Sequence, residues 1–234
     1  MEPIMEYLPN GLTLNIPDRA FPLSTDSMAL ASFVRLPRNA RVLDLGSGCG
    51  TLGLLLCASD PGCHVTGIEL DSLAHEAALE NIRRNNLSSR MNSICADLRN
   101  ITGLFASGSF DLCISNPPYF SSGGISSSLP QARQELQCSL SDLIASAGRL
   151  LKYGGDLYLV HKPERLGEII ALGAAQKLET KRLLLLRHRE GSPVSLILLQ
   201  LRKGAKPGLK IHEAALFDST GNPTSYHTSV YHTE

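Results

Sequence analysis

The chain has 234 residues, with 22 basic and 22 acidic side chains and no net charge, so its overall electrostatics do not mark it as a polyanion binder. With 43% hydrophobic and 19% charged residues it has the make-up of a folded globular protein and not of a disordered one. No apolar run approaches the roughly 18–20 residues of a membrane span, and the acidic start Met1-Glu2-Pro3-Ile4-Met5-Glu6 lacks a signal-peptide pattern, so a cytoplasmic protein with no membrane partner is expected.

Residues 1–20 carry prolines at 3, 9 and 17 and a turn at Asn10-Gly11, which reads as a short extended or hairpin lead-in. Ser24 and Thr25 are good helix caps before the apolar run Met28-Ala29-Leu30-Ala31-Ser32-Phe33. The start of that helix faces either a ligand or solvent.

Arg41-Val42-Leu43-Asp44-Leu45 reads as the first strand of the sheet, followed by the turn Gly46-Ser47-Gly48-Cys49-Gly50 and a buried helix from Thr51. Strand, glycine turn and helix make a nucleotide-binding unit, because glycine lets the backbone approach a ligand. A second strand, His64 to Ile68, ends in Glu69, about 20 residues past the glycines, where an acid takes ribose hydroxyls. An amphipathic helix follows from Ser72 to Asn86, with Leu73, Ala77, Leu79 and Ile82 as its apolar positions. The third strand, Met91 to Cys95, leads into Ala96-Asp97-Leu98. Three successive strands thus end near an acid, Asp44, Glu69 and Asp97, which points to one pocket; each acid taken singly is also a good turn or helix cap.

Phe110 to Ser115 is a buried strand that runs into Asn116-Pro117-Pro118-Tyr119 and then a Ser/Gly loop. The two prolines fix two φ angles, remove two backbone donors and hold Asn116 extended. What remains is a side-chain amide oxygen, carbonyl oxygens and one aromatic face. That set suits a planar ring carrying an NH2 group, whose hydrogens go to Asn116 and a proline carbonyl while Tyr119 stacks.

Further on, Leu140, Leu143, Ile144, Ala147, Leu150 and Leu151 follow helical spacing, ended by Gly154-Gly155. A strand at Leu157–Val160, a helix from Pro163 to about Gln176, and an antiparallel pair at Arg182–Leu186 and Val194–Leu199 complete the sheet. The chain reads as one domain: lead-in and first helix 1–40, core 41–201, and a polar tail 202–234 lying partly ordered on the surface. Charge is unevenly spread. Residues 1–130 hold 8 basic and 12 acidic side chains, and residues 131–234 hold 14 and 10, so the second half is basic and is a candidate to track phosphates. Lys152, Lys162, Arg182, Lys203 and Lys206 are its expected contacts; a solvated surface is the plainer reading. The six cysteines, at 49, 57, 63, 95, 113 and 138, form no CxxC pair and are expected as reduced, buried thiols with no metal site.

Taken literally, Gly48-Cys49-Gly50-Thr51-Leu52-Gly53 matches the dinucleotide pattern GxGxxG. Asp44, two residues before Gly46, argues against it. A carboxylate repels a pyrophosphate and attracts a sulfonium and an ammonium.

Through Asp44-Leu45-Gly46-Ser47-Gly48-Cys49-Gly50 and Asn116-Pro117-Pro118-Tyr119 the chain resembles the class I S-adenosylmethionine-dependent methyltransferases, in the amino-group branch with the N-P-P-Y signature, over roughly residues 21–201. The resemblance implies a Rossmann-like, seven-stranded, mostly parallel sheet with a C-terminal antiparallel hairpin and helices on both faces. It places Asp44, Gly46 and Gly48 at the methionine end of S-adenosylmethionine, Glu69 on the ribose and Asp97 on the adenine amine. Thr25, Ser47, Gly50, Leu70, Leu98 and Asn116 complete the implied cofactor set, and Asn116, Pro117, Pro118 and Tyr119 the catalytic one. Phe21, Thr25-Asp26, Phe120 after the signature and the short polar tail look most like the bacterial family that methylates the N6 amine of an adenine beside the anticodon of valine tRNA. Protein glutamine-N5 methyltransferases share the signature but carry a helical domain where about forty residues stand here. The expected partner is therefore RNA, with a monomer or weak dimer left open; a non-catalytic nucleotide-binding relative is the remaining alternative.

Overall fold

The computed structural model describes residues 4–8, 11–16, 23–118 and 139–231. The lead-in is a hairpin: β1 (Ile4–Tyr7) pairs antiparallel with β2 (Thr13–Ile16). Next come α1 (Thr25–Phe33), β3 (Arg41–Leu45), α2 (Thr51–Ser59), β4 (His64–Glu69), α3 (Ser72–Arg84), β5 (Met91–Cys95) and β6 (Phe110–Ser115). After the next described residue, Ser139, the chain forms α4 (Leu140–Leu150), β7 (Leu151–His161), α5 (Leu166–Ala175), β8 (Leu178–Arg189), β9 (Val194–Lys203), β10 (Lys210–Phe217) and α6 (Ser225–Tyr231).

The main sheet runs β10-β8-β9-β7-β6-β3-β4-β5. Strands β3 to β7 are mutually parallel, and β9 runs against both β7 and β8. Strand β3 has β4 on one side and β6 on the other, so successive units wind outward in opposite directions from it. That is a topological switch point, and a crevice opens there at the carboxyl ends of the strands. Because β3, β4, β5 and β6 are parallel, Asp44, Glu69, Asp97 and Asn116 all arrive at that one edge.

Two apolar clusters cover the two faces. Val42 packs with α1, α2 and the lead-in, while Leu43 and Leu45 pack with α4, α5 and Ile68. Alternation along a strand then puts Asp44 on the Val42 face, beneath α2. The lead-in is held by two asparagines one turn apart, Asn81 on α3 and Asn85 capping its end. Asn81 accepts from the Asn15 amide and donates to its carbonyl, and Asn85 does the same with Thr13. The helix thereby offers β2 a substitute strand edge, and Asn81 also donates to the Cys49 carbonyl in the glycine turn, at 3.0 Å.

Four expectations need correction. Among the described residues the main sheet has eight strands, not seven, because the supposed tail supplies β10, which pairs parallel with β8 from Lys210↔Arg182 to Phe217↔Arg189. An edge strand can be this polar because only one of its sides is buried, and Leu216 is its one fully enclosed residue. Gly154 and Gly155 do not end a helix. The helix stops at Leu150, and the glycines form a bulge inside β7, where the register on β6 jumps from Phe110↔Leu151 to Leu112↔Asp156. Gly154 is left-handed there, and a Cβ on Gly155 would lie 2.9 Å from the Asp111 carbonyl. Leu73 is 64% exposed, whereas Ile82 is buried as expected, Ala77 and Leu79 pack partly against the core, and Ala78 and Asn81 complete the buried face of α3. Of the described cysteines, Cys95 is exposed and the other four are buried free thiols.

Candidate active site

The glycine turn is open on one side and tightly held on the other. Gly46 and Gly48 have φ of 74° and 53°, and a Cβ on either would meet nothing within 4 Å, so the left-handed backbone demands glycine while the space beside it stays clear for a ligand. Gly53, in the first turn of α2, has the opposite reason. A Cβ there would lie 2.4 Å from Met91 Cε, so the missing side chain lets α2 lie close on β5. The Gly46 and Ser47 amides donate to the Ile68 carbonyl at 2.9 and 3.0 Å.

Glu69 sits at the end of β4 and braces this turn. Its Oε2 accepts from the Gly48 amide and its Oε1 from the Asp71 amide, both at 2.8 Å. Asp71 in turn caps α3 through the Leu73 and Ala74 amides. Leu70, between the two acids, is 40% exposed at the crevice edge. Each oxygen of Glu69 keeps a second acceptor direction, the capacity a ribose diol needs.

Asp44 is fully buried, and among the described residues neither of its carboxylate oxygens has a well-formed hydrogen bond, the Gly53 amide making only a weak approach. Burial pushes its carboxyl from 3.8 up to about 8; repulsion from Glu69 adds to the rise, and the Gly53 amide at the start of α2 opposes it. Ser47 Oγ, also buried, has no hydrogen-bond partner among the described residues. A carboxyl group with unspent hydrogen-bonding capacity beside an open glycine turn fits a ligand that brings positive charge and N–H donors. The ammonium and sulfonium of S-adenosylmethionine meet that description, and a pyrophosphate does not.

Asp97 follows β5 and caps a six-residue 3-10 stretch, Leu98–Gly103, kinked at Asn100, in which Leu98 and Ile101 are buried. Its carboxylate accepts from the Arg99 amide at 2.8 Å and from the Arg99 guanidinium, which holds it below the usual carboxylate range. The acid expected to meet the adenine amine is thus already engaged by an arginine two residues on.

At the end of β6, Ser115 is fully buried and donates to the Leu45 carbonyl at 2.7 Å, tying the end of β6 to the end of β3. Asn116 Nδ2 donates to Ser27 Oγ at 3.0 Å, which joins β6 to the first turn of α1. Pro117 is half-buried and Pro118 exposed, while Tyr119 lies outside the described residues. Thr25 begins α1, and its hydroxyl lies 2.7 Å from the Tyr231 hydroxyl on α6. Ser27, Ser115 and Tyr231 are brought to the site by the fold and are not marked by any motif in the sequence. The available hints were a serine inside an apolar helical run and a serine closing an apolar strand.

The family described as the methyltransferase small domain matches residues 23–170, which takes in the glycine turn, all three acids and Asn116. The chain belongs to this family. It is an S-adenosylmethionine-dependent methyltransferase, as the motif resemblance implied. A tRNA1(Val) (adenine(37)-N6)-methyltransferase of Tolumonas auensis is 32% identical to the methyltransferase over 209 residues, covering 87% of this chain and 84% of that one. The enzyme of the same name from Bacteroides fragilis, strain ATCC 25285, is 30% identical over 176 residues, 74% of each chain. Among solved structures, a predicted O-methyltransferase of Agrobacterium tumefaciens superposes with a TM-score of 0.75 at 23% identity, covering 89% of the methyltransferase and 96% of that chain. This likeness supports the class I fold.

Three of the cations expected to meet RNA phosphates are already in use within the methyltransferase. Lys152 pairs with Asp111 at 2.6 Å. Arg182 stacks on the Phe33 ring at 4.1 Å and donates to the Phe33 carbonyl. Lys203 donates to the Leu151 carbonyl. Their role is at least partly to hold α1, β6 and β7 in place.

Proposed function

We propose that this methyltransferase modifies the exocyclic N6 amine of an adenine in tRNA, beside the anticodon. The observation that carries the reading is the placement of Asn116-Pro117-Pro118 at the carboxyl end of β6, on the same sheet edge as Asp44 and Glu69. The names of the relatives from Tolumonas auensis and Bacteroides fragilis agree with it.

Asp44, Gly46, Ser47, Gly48 and Gly50 would receive the methionine end of the cofactor, Thr25 would close that end from α1, Glu69 and Leu70 the ribose, and Asp97 and Leu98 the adenine. S-adenosylmethionine, when bound, supplies a methyl group on a positively charged sulfur. The chain's own task is to present the acceptor nitrogen. An aromatic amine is a poor nucleophile because its lone pair is delocalised into the ring. The side-chain oxygen of Asn116 and the carbonyl of Pro117 accept the two amine hydrogens, turn the nitrogen towards tetrahedral geometry and stabilise the positive charge that grows on it. No strong base is needed, and the surplus proton leaves to water. Tyr119 holds the ring plane by stacking, so the target base must be unpaired or turned out of its stack, as in an anticodon loop.

Incubation with labelled S-adenosylmethionine and unfractionated tRNA, followed by nucleoside analysis, tests the reading. N6-methyladenosine is the expected product. Labelled N5-methylglutamine in protein with no methylated adenine would overturn the substrate.

A further inference from the structure

Resting on the reading of Asn116 as the amine acceptor, we propose that Ser27 is a positioning residue: its hydroxyl takes the Nδ2 arm of Asn116 and so presents the Oδ1 arm to the substrate amine. The two arms of a side-chain amide are nearly equal in size and opposite in hydrogen-bonding sense. Turned one way, Asn116 accepts a hydrogen from the substrate; turned the other, it offers two donors to a group that must itself donate. The last torsion of asparagine is broad and roughly two-fold, so shape alone does not decide between them.

In the structure the amide is turned the accepting way, with Nδ2 donating to Ser27 Oγ at 3.0 Å. Both ends of that bond are held by separate parts of the fold. Ser27 is 7% exposed, and its amide donates to the capping oxygen of Ser24. The Ser24 hydroxyl lies 3.4 Å from that of Ser27. Helix α1 is anchored on its inner side by buried Met28, Ala29, Leu30 and Phe33 and at its start by the Thr25–Tyr231 contact. On the other side, the Ser115–Leu45 bond fixes the residue immediately before Asn116. The serine therefore meets the asparagine across 89 positions of sequence as a partner held in place by the helix.

The test uses Ser27→Ala, Ser27→Thr and Ser27→Cys, with an unmodified valine tRNA transcript as acceptor, steady-state kinetics, and calorimetric affinity for S-adenosylhomocysteine. Ser27→Ala should lower kcat about tenfold, the range for one neutral hydrogen bond, with tRNA KM and S-adenosylhomocysteine affinity within about twofold of wild type. Ser27→Thr keeps the hydroxyl and should restore most of the loss. Ser27→Cys, of similar size but a weaker acceptor, should fall between and gives a second reading if the alanine protein folds poorly. In an Asn116→Ala background, Ser27→Ala should cost nothing further. Wild-type kcat in Ser27→Ala, or an equal loss with and without Asn116, overturns the positioning role. Wild-type kcat in Asn116→Ala alone would instead overturn the assignment of Asn116, and the role of Ser27 with it.

Discussion

Replacing Asp44 by Asn should make the stability of the protein without cofactor less sensitive to pH. Asp44 is fully buried with no well-formed hydrogen bond among the described residues, and burial together with the Glu69 charge raises its carboxyl to about 8 against a weak opposing approach from the Gly53 amide. In the unfolded chain the same group ionises near 3.8. Between those two values the folded protein holds a proton that the unfolded chain has released. As far as Asp44 is concerned, stability is greatest below pH 3.8, falls as pH rises through the window, and levels off above about 8. The slope inside the window is about 1.4 kcal/mol per pH unit for one proton. For a chain of this length that is about 3–6 °C of melting temperature per unit. Asparagine keeps the shape and cannot ionise, so it removes this slope and leaves the contributions of other groups in place. Thermal melts of both proteins at about pH 5, 6, 7 and 8 should show the variant gaining on wild type steadily across the series. A difference between the two that stays constant over the range would mean that Asp44 does not hold its proton in the fold, and would refute the reasoning.

Three further outcomes follow from the site. Asn116→Ala should lose on the order of 10²–10³ in kcat, as when one charge-stabilising contact is removed, while calorimetric affinity for S-adenosylhomocysteine stays at the wild-type value; a rate loss that tracks a loss of cofactor affinity would move Asn116 out of the acceptor role. Glu69→Ala should weaken cofactor binding by about 1.5–3 kcal/mol, the range for hydrogen bonds to a charged group, because it removes both the ribose acceptor and the brace on the Gly48 amide; unchanged affinity would take Glu69 out of the site. Tyr231→Phe should cost about 1 kcal/mol, or about 2–4 °C of melting temperature, by removing the bond to Thr25; a full-strength melt would show that α6 does not steady α1.

Much of the geometry around the glycine turn was legible in the sequence because it is local. A glycine turn, an acid two residues before it and a strand-end acid about 20 residues on are all set within single βα units, where spacing dictates placement. The short connection between β8 and β9 likewise dictated their antiparallel pairing. Where a pattern had two physical solutions, the reading went astray. Gly154-Gly155 stops a helix or bulges a strand equally well, and only pairing with β6 selects the bulge. The tail's polarity suits a surface coil or an edge strand, and only the free side of β8 selects the strand.

By itself, then, the sequence determined the chemistry available: acceptors without a strong base at Asn116-Pro117-Pro118, and carboxylates rather than cations around the glycine turn. Tertiary structure alone decided which way those groups act. The protonation of Asp44 depends on its complete burial beside Glu69, and the facing of the Asn116 amide depends on a serine 89 residues away. The acid at Asp97 is neutralised in part by Arg99, and the lead-in joins the site through Asn81. The physical reason is common to all four. Hydrogen-bond sense and carboxyl ionisation are set by distances of about 3 Å, and the fold creates those distances between groups whose separation along the chain carries no trace of them.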